Sequence, residues 1–143
     1  MKEENVEVQK LKDFSHAEVY ELKDKPDVIL VKAIQNYIPM RVFQPVFDYV
    51  VAHSKEKRVS KVIFDKRTLS VFHQPSMEWY FLEWKDSMSK AGCKTHRKLL
   101  PDDQVFVQSV KIARDKLNKE YPNAEFQKLD IQYADSLQEA INK

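Results

Sequence analysis

Apolar and polar residues alternate along Ala17 to Lys23, and Val28 to Ile34 opens on the apolar run Val28-Ile29-Leu30-Val31 before it alternates too. A period of two marks strands. The intervening Asp24-Lys25-Pro26-Asp27 has turn chemistry, so the two segments predict an antiparallel hairpin whose second strand is the more buried. From Pro39 to about Lys55 the period changes: Phe43, Val46, Phe47, Val50 and Val51 recur at helical spacing. Pro45 predicts either a late helix start near Arg41 to Gln44 or a kink, because proline removes a hydrogen bond inside a helix. Val59 to Asp65 is again a strand, and a strand, helix, strand order predicts a right-handed crossover between parallel neighbours.

Gln74-Pro75 starts a second helix, with proline at a first-turn position. Met77, Phe81, Trp84 and Met88 form its apolar stripe, and Gly92 stops it. Lys94 to Leu100 reads as a fourth strand of unusual polarity, for which an edge position is expected. Phe106, Ser109, Val110, Ala113 and Leu117 line a third helix that ends before Tyr121-Pro122-Asn123. Phe126, Leu129, Ile131 and Tyr133 suggest a last strand, and Asp135 or Ser136 caps a short helix through Ile141. The order β-β-α-β-α-β-α-β-α predicts an α/β domain over residues 17–143. Its expected form is a four- to five-stranded mixed sheet with helices packed mainly on one face. Residues 1–16 are charged and weakly patterned, which leaves a frayed terminus or an added edge strand.

Composition narrows the chemistry. Hydrophobic residues at 43% and charged residues at 32% suit a folded domain with one core, and no apolar run approaches a membrane span. The single Cys93 cannot form an intramolecular disulfide, which together with the absence of a leader pattern gives a cytosolic expectation. With 24 basic and 22 acidic residues the net charge is only +2, so no nucleic-acid partner is expected. The basic runs Lys55 to Arg67 and Lys94 to Lys98 read as solvated faces. Gly92 is the one glycine, which excludes a P-loop, a dinucleotide-binding turn and a kinase-type glycine loop. His16, His53, His73 and His96 stand at no metal-ligand spacing, and Cys93 reads as a small buried residue rather than a nucleophile. No catalytic set, metal or cofactor is assigned.

Several segments together resemble the STAS-like domains, the fold of anti-sigma-factor antagonists, and in particular their small stand-alone bacterial relatives. They are the hairpin into VILVKAIQNYIP, the strand VIFDKRT, the helix SMEWYFLEW, the turn at Ala91-Gly92, Leu100-Pro101-Asp102, and the closing YADSLQEAINK. In phosphoswitching members of that family a serine or threonine in the loop after the third strand accepts phosphate and so controls docking to a partner kinase. The resemblance places that loop at Asp65, Lys66, Arg67, Thr68 and Ser70, with Thr68 and Ser70 as its hydroxyls. The family's paired serines and following glycine are absent here.

Read on its own, Asp65 at a strand end accepts loop N–H groups or pairs with Arg67. Trp79, Tyr80 and Leu82 lie off the stripe of the second helix and give it more apolar surface than one sheet-facing side needs. A homodimer contact, a groove for a protein partner, the lining of a pocket for a small apolar ligand, and a deeper core under the third helix all fit that excess. The expectation from sequence is a non-enzymatic regulatory or protein-interaction module, switched at the loop after the third strand. The alternative is a binder or sensor of a small apolar or anionic ligand held between the second helix and the sheet.

Overall fold

The computed structural model describes residues 2–143. Its strands are β1 (Lys2–Glu3), β2 (Val6–Asp13), β3 (Ala17–Leu22), β4 (Val28–Ala33), β5 (Lys61–Asp65), β6 (Thr95–Leu99) and β7 (Asp130–Ala134), and they lie side by side in chain order. The β3–β4 hairpin is antiparallel, pairing Val19 with Val31, while β4 to β7 are parallel, with Val31, Phe64, Lys98 and Tyr133 in one row across the sheet. The fold is thus α/β with a mixed sheet. The four to five strands expected undercount it, because the polar N-terminal residues add β2 along the edge of β3 and the short β1 beyond it.

Three connections between parallel strands carry helices: α1 (Met40–Lys57), then α2 (Gln74–Trp79) running through a π-helical turn, Tyr80–Trp84, into α3 (Lys85–Lys90), and finally α4 (Gln104–Glu120). All three pack on one face, where Phe47, Val50, Phe81, Trp84 and Val110 meet Val31, Val62 and Phe64. Connections of one hand place successive helices on the same side of a sheet whose strands run in sequence order. α1 starts at Met40 and runs through Pro45, whose ring is exposed near the helix start. Gly92, at φ +93°, follows the end of α3, and the backbone N–H of Cys93 returns to the Met88 carbonyl.

The opposite face is closed by α5 (Leu137–Asn142), capped by Ser136, and by the N-terminal hairpin. Glu4 and Asn5 both have left-handed backbones, which suits a two-residue turn between β1 and β2. The Glu3 carboxylate accepts hydrogen bonds from Lys32 Nζ on β4 at 2.9 and 3.0 Å, and Glu4 pairs with Arg67 just beyond β5. Strands are about 4.8 Å apart, so these partners are out of reach unless the hairpin curls back over the sheet. A register shift between Lys10 and Lys12 gives β2 that bend. Val6 and Val8 are thereby laid among Leu30, Ile63 and Leu99.

Candidate functional site

The carboxyl end of β5 is where the chain gathers its chemistry. Asp65 is buried, and its Oδ1 accepts from the Arg67 backbone N–H and Nε, both at 3.0 Å, while Oδ2 accepts from Arg67 Nη2 at 2.9 Å. Arg67 also holds Glu4. The Thr68 hydroxyl donates to the carbonyls of Ala33 (2.8 Å) and Gln35 (3.1 Å), so it ties the loop to the end of β4. Ser70 is exposed; its backbone N–H bonds to the Asn36 carbonyl, and its hydroxyl has no partner among the described residues. Of the five loop residues singled out from sequence, Asp65, Arg67 and Thr68 are thus occupied internally and Ser70 faces solvent.

Lys66 departs from its loop neighbours. It turns inward, is only 7% exposed, and lays Nζ 5.1 Å from the Phe64 ring centre and 5.6 Å from that of Tyr80. Its ammonium has no hydrogen-bond partner among the described residues. Two more lysines converge on the same ring: Lys85 Nζ lies 4.6 Å and Lys98 Nζ 5.2 Å from the centre of Tyr80, with Lys98 4.1 Å from Phe81. The Arg114 guanidinium stands against the Phe81 ring at 5.6 Å. Among the described residues no carboxylate enters this group. Burial, reinforced by Arg114, lowers the Lys66 ammonium to about 8, and burial pushes Lys85 and Lys98 well below the ordinary lysine value.

These positions correct the reading of the basic runs as solvated faces: Lys66, His96, Arg97 and Lys98 are buried, although Lys55, Lys57, Arg58 and Lys94 are exposed. β6 is not an edge strand either, since it lies between β5 and β7. Of its polar side chains, His96 and Arg97 find specific partners, while Lys98 Nζ has none among the described residues. Arg97 reaches the second face and donates to the Asp130 carboxylate, the Asp130 carbonyl and the Lys143 carbonyl at 2.9 to 3.0 Å. His96 Nε2 lies 3.0 Å from the Cys93 carbonyl, which can only accept, so Nε2 carries the proton. The Nδ1 lone pair then accepts from Lys85 Nζ at 2.9 Å. Burial and the neighbouring Lys85 hold His96 neutral by lowering it to about 2, and burial raises the Cys93 thiol to about 12, which leaves it unreactive.

The crowding lies at a π-helical turn. The Lys85 N–H bonds to the Tyr80 carbonyl, five residues back, and Tyr80, Phe81, Trp84 and Lys85 are all on the buried side. Tyr80 is therefore core rather than an exposed interface residue. It stacks on Trp84 with ring centres 4.7 Å apart, and the Trp84 indole donates to the Phe47 carbonyl at 2.9 Å. Trp79 and Leu82 stay half-buried, and Trp79 meets Phe43 edge-on.

Beside this group opens a narrow cleft with about 50 Å³ of free space. Phe43 from α1, Phe64 from β5 and Lys66 just beyond it, His73 and Ser76 from the start of α2, Tyr80 from the π-helical turn, and Phe106 from α4 form its walls. His73 caps α2 by accepting the Ser76 N–H, and its Nδ1 lies 2.8 Å from Ser76 Oγ. A wider groove of about 730 Å³ lies along the carboxyl ends of β6 and β7. Its cations Arg67, Lys111 and Arg114 face Asp102, Asp115 and Asp135, so its charge is balanced within the groove. The smaller cleft has Lys66 and no carboxylate. Among the described residues no cluster of histidine, cysteine and acidic side chains could hold a metal, and no helix is long and apolar enough to cross a membrane.

The lysine group was missed from sequence, yet a signal for it exists. Lys85 stands four residues after Phe81, on the apolar stripe, and His96 and Lys98 share one face of a strand whose other face carries Arg97 and Leu99. Neither family models nor curated proteins give a match to this chain.

Proposed function

We propose that this protein is a non-catalytic binding module whose cleft takes a compact monoanion with a short apolar tail. The observation that carries the reading is Lys66: a largely buried ammonium without a hydrogen-bond partner among the described residues, set in the wall of an aromatic-lined cleft just past the carboxyl end of a parallel strand. A buried cation without an anion is costly, and a ligand carboxylate would supply the missing partner while its tail meets Phe43, Phe64 and Phe106. Since one water needs about 10–15 Å³ of such space, the cleft holds roughly three to five water-sized atoms, which suits the short apolar tail of such a ligand. Butyrate is a suitable probe and butylammonium its charge-reversed control. Titration followed by NMR should show butyrate perturbing cleft residues, with Lys66→Met weakening it at least about tenfold. Equal response to butylammonium, or no response to either, would remove the proposal.

A second reading, regulated protein interaction on a STAS-like fold, draws support from the strand order and from Ser70. That hydroxyl is exposed and unpartnered in the loop after β5, whereas Thr68 is engaged with Ala33 and Gln35. In this reading Ser70 is the switch, and Trp79 and Leu82 offer half-buried apolar surface to a protein partner or a second copy. Phosphate on Ser70 would find Lys66 turned away and Arg67 already paired with Asp65 and Glu4, so it would act by displacing those contacts. Mass spectrometry of protein from its native cell should find phosphate on Ser70 and not on Thr68; an unmodified Ser70 across growth conditions argues against the switch.

A further inference from the structure

We infer that Lys66 is a covalent capture site for short-chain aldehydes, forming an imine with a carbonyl compound that enters the aromatic cleft. The inference rests on the ligand-binding reading of this cleft and assigns it a reaction as well as an affinity.

The geometry has the features that turn a lysine from a surface cation into a nucleophile: an apolar setting, nearby cations and no carboxylate to hold the proton. Lys66 Nζ sits against the Phe64 and Tyr80 rings in the cleft wall. The titratable groups around it are Tyr80, Tyr37 and His73 in the cleft and Lys85, Lys98 and Arg114 behind it, of which Arg114 adds to burial in disfavouring its proton. With its ammonium lowered to about 8, roughly a tenth of Lys66 is free amine at pH 7, against well under a thousandth for an ordinary lysine. Lys85 and Lys98 are more deeply buried, do not line the cleft, and Lys85 is committed to His96. Lys66 alone among these three combines a depressed ammonium with a path to a small molecule.

The step balances without a cofactor. The Lys66 amine lone pair attacks the carbonyl carbon, forming a C–N bond while the carbonyl oxygen takes a proton, and the resulting carbinolamine loses water to give the imine. No oxidant or reductant is consumed, and hydrolysis reverses the reaction.

Butanal is the probe. The intact protein is incubated with limiting butanal at pH 7, reduced with sodium borohydride to fix the imine as a butylated secondary amine, and mapped by peptide mass spectrometry. Lys66 should carry at least about tenfold more label than any other lysine, with the α-amino group of the test protein as an internal comparison. Its labelling should rise with pH along a curve centred near 8. Lys66→Arg should abolish the selective label while retaining the folded circular-dichroism spectrum, and urea should erase the selectivity in the parent protein. Label spread over exposed lysines in the folded protein, or a pH profile like that of a surface lysine, overturns the inference. If butyrate binds but butanal does not single out Lys66, covalent capture fails and the binding reading survives; if neither engages the cleft, both fail.

Discussion

At the scale of single residues the notable arrangement is cationic side chains buried without anions. Lys98 is fully buried, and its Nζ has no hydrogen bond and only the faces of Phe81 and Tyr80 for company. Such a group persists against its desolvation cost, so a side chain of similar length without the amine should stabilise the fold. Lys98→Met is expected to raise stability by about 1–3 kcal/mol in urea denaturation, with the thioether replacing the amine beside the rings. The same change at Lys85 removes the donor to His96 Nδ1 and should give no such gain. The pH dependence has a definite sign. Lys66, Lys85 and Lys98 all lose protons more readily folded than unfolded, so between their folded values and 10.5 the unfolded chain holds more protons and stability rises with pH. For Lys66 that window is about 8 to 10.5. Tyr20, raised to about 12 by burial, acts in the opposite sense above pH 10. Unfolding free energies from urea denaturation should therefore increase from pH 7 to pH 9, by on the order of 1 kcal/mol per pH unit for each lysine deprotonated in the fold, and Lys98→Met should flatten the increase. A midpoint that falls over that range would mean that burial does not ease the loss of these protons.

At the scale of elements, what was legible in the sequence is what depends on period. The β3–β4 hairpin, α1, β5, the stripe of the second helix, α4 and the stop at Gly92 follow from apolar spacing, turn residues and one positive φ, all local properties of the chain. What was not legible depends on partners distant in sequence. β6 looks like an edge strand because Thr95-His96-Arg97-Lys98 is polar, but His96 and Arg97 are met across the fold by Lys85, Asp130 and Lys143, and Lys98 is buried among aromatic rings. The π-helical turn is hidden as well. Tyr80, three residues after Met77 and four before Trp84, already falls on the stripe of a regular helix and lies under Phe43 and Phe47, whereas the shifted bond from Lys85 N–H to Tyr80 O has no signature in the apolar spacing. Of the candidate site, Asp65 and its pairing with Arg67 were readable from a strand end followed by a basic loop. The inward turn of Lys66 was not, because it requires the cavity that α2 and α4 jointly create.

At the scale of the whole molecule, the two sheet faces are closed by different means, and the site depends on both. Three helices cover one face; α5 and the N-terminal hairpin cover the other, where Val6 and Val8 lie over Leu30 and Ile63. The far edge at β7 is short and polar, with Asp130 and Gln132 exposed, which discourages pairing with other chains. The near edge has no such protection without β2, since β3 behind it carries the buried Val19, Tyr20 and Leu22. The hairpin also reaches the site, because Glu4 holds the Arg67 that pairs with Asp65 next to Lys66. A chain beginning at Phe14 should therefore lose roughly 3 kcal/mol or more of stability through exposed apolar surface, bind hydrophobic dyes, and self-associate through the bared edge of β3. Glu3→Gln with Glu4→Gln separates charge from burial: exposed and half-exposed pairs are worth about 0–1 kcal/mol each, so this variant should keep the parent's oligomeric state and a nearly unchanged urea midpoint. Size-exclusion chromatography and denaturation of the two variants decide the matter. A truncated chain with the parent's oligomeric state and stability would show that the second face does not need its N-terminal cover; a charge variant as damaged as the truncation would show that ion pairs, not the apolar contacts of Val6 and Val8, hold the hairpin down.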